Sequence, residues 1–287
     1  MNKVIPIALA VLFLLPLSLI AQIKKPSLSP RIETTTSVGF VNVELDYGQP
    51  GVKGRKIFGG LVPYGKVWRT GANSSTKISF DADIKLANHN IPAGDYALYT
   101  IPGEEEWTII IHKNIELWGA GNYNATDDLV RFTVPVVKLN DIVETFTIHF
   151  ESFHTNGADM VIAWDNTKVA IPAIVDSDSR IFEEIEQKVL KAEGEITAQT
   201  YFSAAQFYHS KGKDLKQAAN WFDKAIELRP EAFWYVYSRA ELAYEMKDYD
   251  VSRNHIEKCL AGAKASESGD YGYIGKCQLL LEKLEGK

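Results

Sequence analysis

The sequence predicts an α+β chain of two parts: an N-terminal antiparallel β-sandwich and a C-terminal α-helical repeat domain. Three observations carry this. From residue 38 to about residue 174, apolar and polar residues alternate, which is the period of half-buried strands. After Asp176 the apolar spacing lengthens to four, with Ile181, Ile185 and Val189 in line. The helical part then repeats itself at an interval of 34 residues. The expected segments are 1–21, 22–176 and 177–287.

The first segment reads as a secretory signal peptide. Residues 1–3 carry a positive charge, residues 4–20 are uncharged and apolar, and Ala21-Gln22 places a small residue before a polar one. Pro6 and Pro16 interrupt a run that is short for a spanning helix. The expectation is an exported protein, periplasmic or secreted, with no membrane span after cleavage.

The strands follow in order. Val41, Val43, Leu45 and Tyr47 alternate with Asn42, Glu44 and Asp46, and Ile78 and Phe80 with Lys77, Ser79 and Asp81. Pro92-Ala93-Gly94 leads into a strand at Tyr96, and Pro102-Gly103 turns it into a second strand, where Trp107, Ile109 and Ile111 alternate with Thr108 and Ile110. Val130, Phe132 and Val134, then Phe146, Ile148 and Phe150, then Met160, Ile162 and Trp164 complete about eight short strands with no helical stretch between them.

Beyond the boundary, Asp176-Ser177-Asp178-Ser179 supplies capping oxygens for a first helix. Leu215, Ala218, Phe222 and Ala225 then recur 34 positions later as Tyr249, Ser252, Ile256 and Cys259. Tyr201, Ala205, Tyr208, Gly212, Pro230 and the first four of these make residues 198–230 resemble a tetratricopeptide repeat. A second, weaker copy runs from about 233 to 266, and residues 270–285 are expected to cap the array.

Charge excludes one class of function. The chain carries −6 overall, with 14 basic against 18 acidic residues in 22–176 and 16 against 19 in 177–287. Neither part has the basic balance of a nucleic-acid binder. The two cysteines, Cys259 and Cys277, both lie near the end. An oxidising compartment permits a disulfide between them; two buried thiols in helix packing are the alternative.

Residues 48–73 stand out, with seven glycines and the cations Lys53, Arg55, Lys56, Lys66 and Arg69 in an acidic protein. The β-domain resembles the bacterial family known as domain of unknown function 2911. The resemblance is carried by Asp46-Tyr47 with Pro50, Lys53-Gly54-Arg55, Ile57-Phe58-Gly59 and Leu61-Val62-Pro63-Tyr64-Gly65. It continues through Val67-Trp68-Arg69-Thr70-Gly71-Ala72-Asn73 with Thr76, Pro92-Ala93-Gly94 with Tyr96, Pro102, Trp107 and Trp118-Gly119. It implies an exported β-sandwich and hands over no activity and no catalytic residues.

The residues of the loop are therefore read on their own. Arg55 and Arg69 are planar forks suited to a carboxylate or phosphate. Tyr64 and Trp68 offer flat faces to a sugar ring, and Lys53 and Asn73 complete a candidate site for a small anionic or glycan ligand. Against this stands a packing role, in which Trp68 plugs the end of the sandwich and Arg69 pairs with Asp46 or Asp81.

Chemistry is less well signalled. No Gly-x-Ser-x-Gly elbow occurs, and Ser74, Ser75 and His112 share no diagnostic spacing. His149, Glu151 and His154 read as a polar strand face and turn, so neither a metal nor a cofactor is expected. Glu116, Asp127 and Asp128 are acidic loop residues whose separation alone decides whether they pair across a cleft.

In the helical part, Phe202 and Gln206 of one copy and Trp234, Tyr237 and Tyr244 of the next are expected to line a groove for a protein or peptide partner. The alternative is that the aromatics pack internally. The function expected is a binding or scaffold protein of the bacterial envelope. The alternative is an enzyme acting on envelope glycans or other polar substrates, with Arg55 and Arg69 holding the substrate.

Overall fold

A computed structural model describes residues 25–287, so the signal-peptide assignment at 1–21 lies outside the described residues. The chain divides between Val175 and Asp176 into two compact units.

The first unit holds nine strands: β1 Arg31–Val38, β2 Val41–Gly48, β3 Thr76–Phe80, β4 Ile84–Leu86, β5 His89–Ile91, β6 Gly94–Pro102, β7 Glu106–His112, β8 Asp128–His154 and β9 Gly157–Ile174. They form one hydrogen-bonded sheet in the order β1-β2-β3-β6-β7-β8-β9-β4-β5, antiparallel throughout. β8 is the hinge of this sheet. Its first residues pair with β7 and the remainder with β9, with register shifts after Lys138 and Val143. The sheet thereby folds over itself. Tyr47 on β2 reaches Ile148 on β8, a strand that is not its neighbour, donating to its carbonyl at 3.1 Å and accepting from its amide at 3.0 Å. The inward faces of both halves merge into one core that includes Trp107, Phe146 and Trp164.

The expected alternation holds on β2, where Val41, Val43, Leu45 and Tyr47 are buried and Asn42 and Glu44 exposed. It breaks on β6 and β7. Ile110 is fully buried on the far face with Ala97 and Tyr99, because residues of the 113–127 segment cover that face. What read as two short strands around 130 and 150 is one strand of 27 residues bent by bulges. β1 lies outside the alternating region seen in the sequence; it is an edge strand whose outer positions are all polar.

The second unit holds six helices among the described residues: α1 Ser177–Ile185, α2 Ala198–Ser210, α3 Leu215–Leu228, α4 Phe233–Glu245, α5 Tyr249–Ala265 and α6 Tyr273–Glu285. α1 runs on into a π-helical turn, Glu186–Leu190. Side-chain caps start four of the six: Asp176 accepts from Ser179 N, Thr197 from Thr200 N, Asp214 from Gln217 N and Asp248 from Val251 N. Asp214 and Asp248 themselves stand 34 residues apart. Ala218, Phe222 and Ala225 on α3 and their counterparts Ser252, Ile256 and Cys259 on α5 are all fully buried. The serine is accommodated because its hydroxyl donates to Ala240 O at 2.9 Å.

Candidate functional site

The 48–73 segment is a tightly anchored surface loop. Its ends meet because Gly48 has no side chain: a Cβ there would strike the carbonyl of Ala72. Val52 N donates to Glu144 O at 2.7 Å and Lys53 N to Glu144 Oε1 at 2.9 Å, fixing a turn with Lys53 at φ 48° and Gly54 at φ 68°. Beyond the end of β3 the loop takes over as a neighbour of β6, with Trp68 N to Thr100 O at 2.7 Å and Thr100 N to Trp68 O at 2.9 Å. Thr70, at φ 53°, is fully buried, donates to Thr100 Oγ1 at 3.1 Å and accepts from Thr76 Oγ1.

Trp68 sits in an aromatic cluster. Its indole is stacked on Trp164 (centroids 5.9 Å, planes 14° apart) and meets Phe146, Phe58 and Trp107 edge-on. Its Nε1 donates to Gly71 O at 3.1 Å. Outward of this cluster lies an open cleft of about 380 Å³, lined by Arg55, Lys66, Trp68, Arg69, Asn73 and Trp164 among others, none of them acidic. That volume falls within the range of small-molecule sites.

Two residues of the lining each carry a donor without a partner, closed off from the cleft itself. Arg69 Nε and Trp164 Nε1 are both buried and unpaired, and Trp164 is 1% exposed. Buried donors ordinarily find an acceptor, since leaving one unmade costs about 1–3 kcal/mol. Arg55 is held by its own loop, donating to Val52 O at 3.1 Å and Gly51 O at 2.5 Å. Asn73, at φ 67°, donates to Ser29 O at 3.3 Å.

Of the six loop residues expected at the site, Arg55, Trp68, Arg69 and Asn73 share this cleft, while Lys53 and Tyr64 are not among its lining. Lys53 is exposed in the turn on Glu144. Tyr64 packs beside Gly59, and its phenol is pushed up by burial first and then by Glu104 and Asp165. Arg69 pairs with neither Asp46 nor Asp81. Asp46 is engaged by Arg31, and Asp81 accepts from Asn42 N and Nδ2 at 2.8 Å each. Arg69 instead lies 5.8 Å from the ring centroid of Trp118.

A second polar cluster supports the neighbouring segment. His112, fully buried, is bonded through Nδ1 to Asp128 Oδ1 at 2.9 Å, and its Nε2 is buried without a partner. Asp128 also accepts from Tyr123 Oη at 2.7 Å and is paired with Arg131. Burial, then the bond to Asp128, push the Tyr123 phenol up to about 12. Asp128 is thus a clamp, not one of a pair of free loop carboxylates. Glu151 is likewise occupied, by Lys168 at 2.5 Å, and His149 Nε2 lies 3.6 Å from it. His154 ends β8 opposite Gly157.

The helical groove differs from the one expected. Phe202 is buried, stacked on Tyr235 at 3.9 Å. Trp234 packs between Phe233, Tyr235 and Arg229, Tyr237 against Tyr273 and Tyr244 against Tyr249. A groove of about 690 Å³ is lined by Gln206 together with His209, Ser238, Glu241 and Glu245 and by the rings of Phe207 and Phe222, so polar and apolar groups share it. In helices that pack on both sides, the large aromatics are taken into the interior. Cys259 and Cys277 are both buried, with their sulfurs 3.0 Å apart.

A model of the family described as "Protein of unknown function (DUF2911)" matches residues 29–173, the stretch that contains the anchored loop, the cleft and the clamp. No curated protein matches the chain.

Proposed function

The chain belongs to the DUF2911 family, and we propose that its family domain is a non-catalytic binding module for a small anion in an exported envelope protein. The observation that carries this reading is an open cleft lined by three cations, Arg55, Lys66 and Arg69, and by no acid. A carboxylate or phosphate supplies the counter-charge that this lining lacks, with the guanidinium fork of Arg69 as its anchor and Arg55 and Lys66 adding charge. The lining sets these cations, the Asn73 amide and two indoles among apolar residues such as Leu61, Val62 and Pro63, groups that hold a ligand. Export rests on the reading of residues 1–21.

The helical unit belongs to the same proposal as a short tetratricopeptide-like array that docks a protein segment. The paired caps and buried positions at 34-residue spacing, with the open groove at Gln206, support it.

Calorimetric titration of the chain with inorganic phosphate and with acetate tests the anion site. Saturable binding is expected, weakened about tenfold or more by Arg69→Gln, because a charge-assisted hydrogen bond is lost. Arg69→Lys keeps the charge without the fork and is expected to rescue it only in part. Absence of saturable binding to either anion refutes the reading.

A further inference from the structure

We propose that the anion held by this cleft is an acidic saccharide, with its acid group at Arg69 and its ring stacked on Trp118. This rests on the anion-binding reading and goes beyond it by naming the ligand class.

Trp118 is 74% exposed. Leaving an indole in water forgoes roughly 2–3 kcal/mol of burial, so an exposed tryptophan on a fixed backbone calls for a reason. The backbone here is fixed on both sides of it. Leu117 O accepts from Ser75 Oγ at 3.0 Å, Gly119 O accepts from Tyr99 Oη at 2.9 Å, and Trp118 itself bridges Ser74. The Tyr123–Asp128–His112 clamp ties down the end of the same segment. The indole is therefore a presented surface, already ordered before a ligand arrives, which lowers the entropic cost of binding.

Its position couples it to the cleft. Arg69 lines the cleft and lies 5.8 Å from the Trp118 ring centroid, and Asn73, also in the lining, precedes the Ser74 that bridges Trp118. The fork thus lies over one face of the indole, and the exposure of Trp118 leaves the other face to a ligand. A ring-bearing acid satisfies both. The polar groups decide between an aromatic and a sugar ring. Asn73 donates its amide to Ser29 O, which leaves the amide oxygen to accept from a hydroxyl, and Lys66 offers a further donor. A saccharide has an apolar face for the indole and hydroxyl edges for these groups; an aromatic acid has only the face.

The test compares glucuronate, glucose and acetate by NMR titration of the full chain, following the indole N–H signals. Glucuronate is expected to bind at least tenfold more tightly than acetate or glucose. Trp118→Ala is expected to weaken glucuronate about tenfold and acetate far less, with the melting temperature unchanged, and Trp118→Phe to restore part of the difference. Equal affinity for glucuronate and acetate overturns the proposal while leaving the anion site standing. So does an equal loss of both in Trp118→Ala. Failure of acetate and glucuronate alike to bind the wild-type chain overturns the proposal together with the anion reading.

Discussion

The indoles of Trp68 and Trp164 lie nearly parallel, centroids 5.9 Å apart and planes 14° from each other, so the floor of the cationic cleft is also the edge of the β-core. Packing and ligand binding, posed as alternatives by the sequence, are expected to divide between adjacent residues: both line the cleft, but only Trp68 packs against the core. Trp68→Ala is expected to cost about 3–5 kcal/mol, the usual range for removing a large aromatic from a packed site. Arg69→Gln is expected to stay within about 1 kcal/mol of wild type, as for a surface substitution, while weakening anion binding. Urea denaturation followed by near-ultraviolet circular dichroism measures both. Equal losses of stability in the two variants contradict the division.

The clamp on Asp128 makes an alkaline prediction. The Tyr123 phenol is raised to about 12, first by burial and then by its bond to Asp128. In the unfolded chain a tyrosine titrates near 10. The folded state thus holds this proton more tightly. Its stabilising contribution is complete below about pH 10 and is lost as pH rises from there toward 12. Burial also raises other phenols, Tyr237 among them, so spectrophotometric titration at tyrosinate wavelengths is expected to show a group of late-ionising tyrosines that loses one member in Tyr123→Phe. Asp128→Asn is expected to bring the Tyr123 phenol back toward its ordinary range and to destabilise the domain, since it leaves His112 and Arg131 without their anion. A Tyr123 that titrates with the exposed tyrosines disproves the clamp.

How much was legible in the sequence depended on whether one face of an element met water. β2 alternates because its far positions, Asn42 and Glu44, are exposed, so its period survives in the sequence. Ile110 and His112 are covered on the far face by a segment distant in sequence, and no local pattern distinguishes them from surface residues. The same limit hid the clamp: His112 and Asp128 are 16 residues apart and are brought opposite each other only by the pairing of β7 with β8. In the cleft, residues contributed by the loop itself were readable. Trp164 was not, since strand pairing delivers it. The 34-residue spacing coincides with helices because Ala218, Phe222 and Ala225 and their counterparts Ser252, Ile256 and Cys259 are all buried, but periodicity does not say which aromatics turn inward, and Phe202 does.

His255 makes the helical unit sensitive to acid. Its imidazole is held below its ordinary value, mainly by burial and further by Arg239 and Lys258. The Val251 carbonyl, 2.8 Å from Nδ1, and Asp223, 3.9 Å from Nε2, act in the opposite direction. A depressed histidine contributes stability that is complete above its unfolded value, near 6.5, and is lost as pH falls below it. Denaturation followed at 222 nm is expected to show a lower midpoint at pH 5 than at pH 7.5, and His255→Gln to flatten that difference. An unchanged slope in the variant assigns the acid sensitivity elsewhere.

The sulfurs of Cys259 on α5 and Cys277 on α6 lie 3.0 Å apart in the interior of the helical unit. Contact with its partner sulfur, followed by burial, pushes the Cys259 thiol up. Both thiols are buried out of reach of a small disulfide such as oxidised glutathione, so oxidation by it is expected to be slow in the folded state and faster under mild denaturation. Once formed, the bond closes a loop of 18 residues between α5 and α6. The chain-entropy argument puts its stabilisation at about 3 kcal/mol. Alkylation and mass spectrometry are expected to find two free thiols in reduced protein and an intramolecular disulfide after oxidative refolding, with a higher urea midpoint for the oxidised form. Cys259→Ser is expected to abolish both changes. Oxidised protein that melts below the reduced form, or that cross-links between chains, shows that α5 and α6 do not hold these sulfurs in a bonding geometry.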